Sequence, residues 1–416
     1  MGELLQKCTA AKNAAERMAV ISTVTKDNAL RAMARAIVDG TEELMAANRV
    51  DLENAEKNGV RKTMLDRLRL TPERIRDISE GILQVAALSD PIGEVTGEWM
   101  RPNGLTIGRK RVPLGVIAII YEARPNVTAD AAALCLKTSN VSILRGGKEA
   151  IASNTAMMRI MQRAAYAEGI PEGALNIIED TSRETATELM RMNGYIDLLI
   201  PRGGKGLIKS VVDNATVPVV ETAAGNCHVY VDGAADLDMA EKIVMNAKVQ
   251  RPSVCNAAET LLIDRAVAER FVPRIFDALR GANVEIRADE ASAALYTGDV
   301  ARATDEDYYT EYNDYIIAVK LVDGVGDAIR HINKYNTKHS EAIVTDSYAA
   351  SERFLNEVDA AAVYVNASTR FTDGFEFGFG AEIGISTQKM HARGPMGLEA
   401  LTSIKYVVRG NGQIRG

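Results

Sequence analysis

One cysteine in the stretch 248–263 has the sequence setting of a nucleophile. The stretch reads K-V-Q-R-P-S-V-C-N-A-A-E-T-L-L-I and places Cys255 between a short polar loop and the apolar run 260–263, which is typical of a buried strand. A thiol on a loop that leads into a rigid strand is held still yet stays open to substrate, and its thiolate is the reactive form. A lone cysteine is more often a small buried hydrophobic residue, so these residues alone leave both interpretations open.

A basic, glycine-rich loop and a glutamate each follow a predicted strand. After the apolar residues 198–200 comes P-R-G-G-K-G-L-I-K-S, in which Gly203, Gly204 and Gly206 would let the backbone approach a phosphate at the next helix start. The loop matches neither common nucleotide-binding fingerprint, so a plain turn is an equally good interpretation. Glu221 ends the apolar segment 217–220 and is placed for acid–base chemistry, although such a glutamate is more often structural.

Alternating strand and helix patterns indicate which elements position these residues. The first alternation predicts a parallel sheet with crossover helices, and hence a ligand at the carboxyl ends of strands 115–121, 141–144, 175–178, 196–200 and 217–220. A second alternation in residues 259–365 predicts another domain of the same class, with strands 260–263, 315–321, 342–345 and 361–365. Residues 3–88 have the composition and spacing of helices, and we interpret them as scaffold.

Composition narrows the class of protein. The chain has 416 residues, 47% of them hydrophobic and 25% charged, which predicts two or three globular domains. Its net charge of −7 argues against a nucleic-acid or anionic-membrane partner, although a local basic cluster could still bind a small phosphorylated ligand. The four scattered cysteines lack zinc-ligand spacing, and we find no signal peptide or long apolar span. We therefore expect a cytoplasmic protein without a metal site.

The residues 97–112 predict a β-hairpin. Asn103 and Gly104 lie between two extended segments, and Asn-Gly is the strongest short hairpin signal. A hairpin this polar cannot form a core by itself. We therefore expect it to project and to pair with another element.

Several long strings together resemble the aldehyde dehydrogenase superfamily. They follow the superfamily's order of apolar strand, basic glycine loop, strand-end glutamate and loop cysteine, and the interval from Glu221 to Cys255 is its usual one. The strings are V-P-L-G-V-I-A-I-I-Y-E-A-R-P-N-V-T, I-L-R-G-G-K-E-A, I-P-R-G-G-K-G-L-I, Q-R-P-S-V-C-N-A-A-E-T and A-R-G-P-M-G-L-E. The resemblance covers essentially the whole chain, and it implies a Rossmann-type cofactor domain and a second α/β catalytic domain.

The resemblance assigns a cofactor. Glu311 matches the glutamate that holds the nicotinamide ribose in relatives, and the three glycines of the loop match the turn near the pyrophosphate. Arg145 and Lys148 stand where most relatives have a lysine and a glutamate that bind the adenosine ribose. A cation in place of that carboxylate favours a 2′-phosphate, so the implied cofactor is NADP, used as NADPH.

The strings are most similar to the branch of the superfamily that reduces an acyl phosphate. This implies that Cys255 attacks L-glutamyl 5-phosphate, that phosphate leaves, and that the thioester is reduced to L-glutamate 5-semialdehyde, the second step of proline biosynthesis. The glutamate that Glu221 matches activates a hydrolytic water in aldehyde-oxidising relatives. A phosphate-dependent enzyme must keep water from its thioester, so here Glu221 would orient groups or shuttle a proton. The asparagine that helps those relatives bind the oxyanion has no counterpart without a shift, which leaves the backbone N–H of Cys255 as the safer donor.

An anionic substrate implies cationic and amide ligands from loops. The residues nearest the matched motifs are Arg124, Asn126, Arg251, Arg370 and Arg393. For each arginine a solvated or structural role is an equally good interpretation.

Three other functions stay open at this point. A related enzyme could oxidise a semialdehyde to an acid or to a coenzyme A thioester, and a non-catalytic protein could keep the fold. A kinase is disfavoured, because the chain lacks a Walker-type loop and a paired magnesium-binding carboxylate pattern.

The resemblance also implies a domain plan and partners. Residues 1–225 would bind the cofactor, with 366–395 returning to that domain, and 226–365 would form the catalytic domain. The hairpin and the tail 396–416 match elements that pair between subunits, which implies a homo-oligomer, either a dimer or a tetramer. Association with glutamate 5-kinase, which makes the unstable substrate, stays open.

Overall fold

The chain forms two compact units. The computed structural model describes residues 2–60, 62–122, 124–222 and 224–415. The first unit comprises Met1–Thr222, Gly378–Gly384 and Met396–Gly416, and the second comprises Ala223–Phe377 and Ile385–Pro395.

The segment 366–395 is divided between the units, whereas the sequence predicts that all of it returns to the first. Only Gly378–Gly384 lies in the first unit. The residues before it are tied into the second unit by Asn256, which donates hydrogen bonds to two of their backbone oxygens at 3.0 and 3.2 Å. The residues after it are held there by the ion pair of Arg393 with Asp359, at 2.7 Å. Contacts distant in sequence therefore decide where this segment packs.

Five helices begin the chain, as the composition of residues 3–88 predicts. They are α1 (Glu3–Met18), α2 (Thr23–Asp39), α3 (Thr41–Lys57), α4 (Lys62–Leu68) and α5 (Pro72–Ala87). The Ser22 hydroxyl accepts the Thr25 N–H at the start of α2, and the Thr71 hydroxyl accepts the Arg74 N–H at the start of α5, so both helices have a side-chain cap. Pro72 opens α5, where its missing N–H costs nothing.

The predicted hairpin is present and pairs with the tail of the same chain. Strands β1 (Val95–Met100) and β2 (Thr106–Pro113) join through a turn in which Gly104 has φ +85°. Near the end of the chain, β16 (Thr402–Arg409) pairs antiparallel with β2, which gives a three-stranded sheet in the order β1-β2-β16. Both outer strands leave an edge without a partner strand among the described residues of this chain.

A four-stranded parallel sheet organises the first unit. Its elements are β3 (Val116–Tyr121), α6 (Pro125–Lys137), β4 (Val141–Arg145), α7 (Ile151–Ala167), β5 (Leu175–Ile177), α8 (Arg183–Leu189), β6 (Leu198–Arg202) and α9 (Lys205–Asn214). The strand order is β5-β4-β3-β6. This is the order of dinucleotide-binding sheets, in which the ligand lies where the strand order reverses, here between β3 and β6.

The predicted strand at 217–220 is reduced to one bridge. Val219 forms a single parallel bridge with Leu199 on β6, and the Leu199 N–H donates to the Pro218 oxygen at 2.8 Å. Pro218 has no N–H to donate, which limits further pairing. The segment therefore extends the sheet by a short edge rather than by a full strand.

The second unit is built on a seven-stranded parallel sheet in the order β10-β9-β11-β8-β7-β12-β13. Its strands are β7 (Cys227–Val231), β8 (Ala258–Asp264), β9 (Glu285–Ala288), β10 (Ala301–Arg302), β11 (Ile316–Val322), β12 (Ser340–Val344) and β13 (Ala362–Val365). Its helices are α10 (Leu237–Val249), α11 (Arg265–Gly281), α12 (Glu290–Ala293), α13 (Val325–Tyr335) and α14 (Tyr348–Glu357). Its shorter elements are β14 (Ile385–Ser386), β15 (Gly394–Pro395) and the 3-10 helices Asp305–Tyr309 and Thr369–Phe371, whereas the 3-10 helices Lys148–Ala150 and Glu399–Leu401 belong to the first unit.

Helices cover both faces of this sheet. Val229 and Val231 on β7 pack with buried residues of α10 and α11, whereas Tyr230 between them packs with α13 and α14. Alternate residues of a strand point to opposite faces, so β7 connects the two layers of core. Among the described helices of the chain, none combines the length and apolar character that a membrane span needs.

Candidate active site

Cys255 is the accessible cysteine of the four. It is half-buried, whereas Cys8, Cys135 and Cys227 are fully buried. Burial raises the pKa of the Cys8 thiol to about 11 and that of Cys135 to about 12, and it raises the pKa of Cys227 well above its usual value. The reactive form is the thiolate, so the structure leaves Cys255 as the candidate nucleophile.

The loop that carries Cys255 is anchored by the next residue. Asn256 is only 5% exposed. Its side-chain amide donates to the backbone oxygens of Arg370 at 3.2 Å and Thr372 at 3.0 Å. Its backbone carbonyl accepts a hydrogen bond from the Thr369 hydroxyl at 2.7 Å. The thiol therefore lies on a loop whose backbone is fixed one residue away.

The Cys255 carbonyl packs against a glycine. A Cβ atom at Gly225 would lie 1.4 Å from the Cys255 carbonyl oxygen, so no other residue fits there without moving the loop. The Gly225 N–H donates to Oε1 of Glu311 at 2.8 Å. The Cys227 thiol donates to the same Cys255 carbonyl at 3.2 Å. The predicted nucleophile and the predicted ribose-binding glutamate thus share a neighbour in the second unit.

One of the predicted substrate arginines, Arg370, lies within electrostatic range of both Cys255 and a second one, Arg251. Burial lowers the pKa of Arg370, the positive charge of Arg251 lowers it further, and the negative charge of a Cys255 thiolate opposes the shift. Arg370 is also oriented, because Nε donates to the Gln250 side-chain oxygen at 2.9 Å and Nη1 donates to that of Asn256. Both ends of the cysteine loop therefore hold this guanidinium.

A small cavity adjoins Arg370. Its volume is about 230 Å³, and it is lined by Asn246, Gln250, Arg370, Phe371, Asp373 and Glu376. Its size suits a small polar group rather than a nucleotide.

The other predicted substrate ligands are Arg393, in the second unit, and Arg124 and Asn126, in the first. Arg393 forms an ion pair with Asp359, and this contact, with that of Lys389, holds the pKa of the Asp359 carboxyl at about 2. Arg124 and Asn126 are exposed around the start of α6 in the first unit, where the Asn126 amide donates to Asp130 at 3.1 Å.

A larger cleft of about 590 Å³ lies in the first unit, where its strand order reverses. It is lined by the ends of β3 and β4, the start of α9 and a loop after α3, namely Asn58, Gly59, Val60, Ile120, Tyr121, Glu122, Arg145, Gly147, Glu149 and Leu207. The carboxyl ends of parallel strands at such a reversal are where α/β sheets bind dinucleotides. The cleft is therefore the candidate cofactor site.

Arg145 fits an anionic ligand in this cleft. Its Nη2 donates to the Thr181 and Ser182 carbonyls at 2.5 and 3.0 Å, which fixes the guanidinium. Its buried Nε has no hydrogen-bond acceptor within the described residues. A buried donor of this kind is costly unless a ligand or water completes it. Lys148 is exposed at the beginning of the following 3-10 helix.

The glycine loop before α9 presents one N–H group, that of Gly204, to a carboxylate. The Gly204 N–H donates to Oε1 of Glu122 at 3.0 Å, and a Cβ atom at Gly203 would lie 2.7 Å from Cδ of Glu122. At Gly206 a Cβ would meet nothing within 4 Å. A helix start that accepts a carboxylate has the donors that phosphate uses. Glu221 is half-buried in the first unit, directly after the segment 217–220.

Several of these residues have weak signals in the sequence. Gln250 and Asn256 flank the cysteine loop, but only the structure shows that they hold Arg370. The loop 58–60 contains an Asn-Gly pair that indicates only the end of a helix, although it lines the candidate cofactor cleft. Gly225 was detectable in principle, since a glycine near a nucleophile often marks a close backbone approach.

Comparisons with known proteins identify the family. The model of the aldehyde dehydrogenase family matches residues 3–315. The chain is 58% identical to the gamma-glutamyl phosphate reductase of Clostridium beijerinckii over 415 residues, which is 100% of both chains. It is 59% identical to that of Heliobacterium modesticaldum over 413 residues, 99% of each. The crystal structure of the gamma-glutamyl phosphate reductase of Thermotoga maritima superimposes with a TM-score of 0.98 at 48% identity, covering 100% of both chains. The chain therefore belongs to the aldehyde dehydrogenase family and, within it, to the gamma-glutamyl phosphate reductases.

Proposed function

We propose that the protein reduces L-glutamyl 5-phosphate to L-glutamate 5-semialdehyde with NADPH and releases phosphate, the second step of proline biosynthesis from glutamate. The observation that carries this proposal is an accessible thiol within electrostatic range of Arg370, a guanidinium that both ends of the thiol's own loop orient. The full-length identity to gamma-glutamyl phosphate reductases supports the choice of substrate.

The chemistry of the chain follows from these groups. The Cys255 thiolate attacks the acyl carbon, and the carbon–oxygen bond electrons leave with phosphate. The positive charges of Arg251 and Arg370 favour both the thiolate and the departing anion. A bound nicotinamide cofactor supplies the hydride that reduces the resulting thioester. The backbone N–H of Cys255 is the candidate oxyanion donor, and Glu221 orients groups or carries a proton without activating water.

The candidate cofactor site favours NADPH. Arg145 has a buried Nε–H without an acceptor among the described residues, and the exposed Lys148 adds a second positive charge. Both suit a 2′-phosphate by charge complementarity. The N–H groups of Gly203, Gly204 and Gly206 would face the pyrophosphate, and Glu311 would hold the nicotinamide ribose.

The Lys148→Glu variant tests the cofactor preference. We expect NADPH binding to weaken about tenfold relative to NADH, because a carboxylate repels the 2′-phosphate and accepts from a 2′-hydroxyl. The dissociation constants of both cofactors, measured by fluorescence titration, give the ratio. Lys242→Glu makes the same charge change on an exposed position of α10 and should leave the ratio as in the wild type. An unchanged ratio in Lys148→Glu would remove Lys148 from the site.

The Arg370→Lys variant tests the substrate site. Lysine keeps the charge but loses the planar fork that Gln250 and Asn256 orient, so we expect kcat/KM for the acyl phosphate to fall about tenfold. NADPH affinity should be unchanged. Arg353→Lys alters a surface arginine paired with Glu357 on α14 and serves as the control. Equal kcat/KM in the two variants would exclude Arg370 as an anion ligand.

The reverse reaction tests the function as a whole. L-Glutamate 5-semialdehyde should reduce NADP⁺ only when inorganic phosphate is present. Reduction that proceeds equally well without phosphate, or that requires coenzyme A instead, would replace the proposal by one of the related dehydrogenase activities.

The hairpin sheet supports a homo-oligomer, either a dimer or a tetramer. It carries exposed apolar side chains on its outer strands, including Trp99, Met100, Tyr406 and Val408, and its outer edges lack a partner strand within the described chain. A second copy pairing there would cover both features. A monomer by light scattering would contradict this. Cytoplasmic localisation and association with glutamate 5-kinase remain predictions from the sequence.

A further inference from the structure

Two opposite charges are buried near the cysteine loop without a part in the proposed chemistry. Lys248, in the last turn of α10, and Glu259, on β8, are both 0% exposed, with 2.6 Å between Nζ and Oε2. Burial lowers the pKa of Lys248 and raises that of Glu259 to about 7. Burying such a pair is costly, and an apolar pair of similar size is often as stable or more so. A contribution to the stability of the fold therefore does not explain why a charged pair occupies these two positions.

The second oxygen of Glu259 holds another loop. Oε1 accepts the backbone N–H of Asn313 at 3.1 Å. Asn313 has φ +55°, a left-handed conformation that non-glycine residues adopt at a cost. It lies two residues after Glu311, so Glu259 fixes the turn that follows the predicted ribose ligand.

These contacts form a closed ring of residues that includes Cys255. The Cys255 carbonyl packs on Gly225, whose N–H donates to Glu311 at 2.8 Å. The chain then leads to Asn313, which donates to Glu259, and Glu259 lies on the strand that continues from Cys255. Within this ring the buried Glu259 side chain connects β8 to the loop that contains Glu311 and Asn313.

We infer that Glu259, held in place by Lys248, is a positioning residue that fixes the Glu311 loop relative to Cys255. The inference rests on the proposed function for the role of Glu311. Since Glu259 acts through Glu311, its loss should weaken cofactor binding, while the thiol keeps its separate anchor at Asn256.

Two neutral double variants isolate the role of the acceptor oxygen. Lys248→Met with Glu259→Gln keeps an oxygen for the Asn313 N–H, whereas Lys248→Met with Glu259→Met removes it at nearly the same size. We expect NADPH to bind about fivefold more weakly to the Met/Met variant than to the Met/Gln variant, the scale of one lost hydrogen bond. The rate at which iodoacetamide alkylates Cys255 should agree within about twofold between them.

Each outcome decides the inference. Equal NADPH dissociation constants would overturn it, and so would a parallel fall in alkylation rate, which would indicate general damage. A Met/Met variant that fails to fold while Met/Gln folds would also overturn it, because the oxygen would then serve the fold. NADPH binding is measured without turnover, so a wild-type protein that lacks phosphate-dependent activity would refute the proposed function and leave this test intact.

Discussion

The Cys255→Ser variant should bind NADPH normally and lose at least ~10³-fold in turnover, the scale expected when a covalent nucleophile is removed. Serine is nearly the same size, so the loop anchored by Asn256 should keep its conformation. Its hydroxyl is a far weaker nucleophile near neutral pH, because it stays protonated there. Steady-state kinetics give kcat, and fluorescence titration gives the NADPH dissociation constant.

A buried cysteine provides the control for this experiment. Cys8 on α1 is fully buried, and the proposed chemistry does not use it. Cys8→Ala should change kcat by no more than a few-fold. Near wild-type turnover in Cys255→Ser would rule out a thioester mechanism.

The Gly225→Ala variant should lower turnover about 10²-fold, the scale expected when a reacting group is displaced by about 1 Å. The added Cβ would lie 1.4 Å from the Cys255 carbonyl oxygen, so the cysteine loop or the segment before β7 must shift. Forcing an extra methyl into packed structure also costs about 1–3 kcal/mol of unfolding free energy. The measurements are kcat and the thermal unfolding midpoint.

Gly281 is the matched control for the added methyl group. A Cβ at that position, the end of α11, would meet nothing within 4 Å. Gly281→Ala should leave kcat and the unfolding midpoint close to their wild-type values. If Gly225→Ala behaved like Gly281→Ala, the close packing of Gly225 on the nucleophile loop would have no functional role.

Local patterns in the sequence predict much of the fold. The runs that form β3 and β4, the helices of residues 3–88 and the hairpin at Gly104 each follow from periodicity or turn chemistry and agree with the structure. Strand β7 is absent from the predictions because C-H-V-Y-V has polar groups where a buried strand needs apolar ones. His228 is tolerated there because Oε2 of Glu341 on β12 lies 2.8 Å from its backbone nitrogen and 3.0 Å from its ring Nδ1, and both contacts are hydrogen bonds. That pairing is distant in sequence and leaves no local signal.

The candidate site likewise combines features that local sequence predicts with contacts that only the fold determines. The position of Cys255 on a loop before a strand follows from local sequence, and Arg370 lies within electrostatic range of its thiolate. Nothing near Arg393 in the sequence indicates that Asp359 pairs with it. The helical region interpreted as scaffold also contributes the loop 58–60 to the candidate cofactor cleft. Which polar groups meet across the fold depends on packing that single-sequence patterns do not encode.

The central claim is that Cys255 becomes acylated and that phosphate removes the acyl group. The most direct measurement is mass spectrometry of the peptide containing Cys255 after the protein has been incubated with L-glutamate 5-semialdehyde and NADP⁺ in the absence of phosphate. We predict about one NADPH per active site, a glutamyl group on Cys255 and its release when phosphate is added. Continuous NADPH formation without phosphate, with Cys255 unmodified, would contradict it.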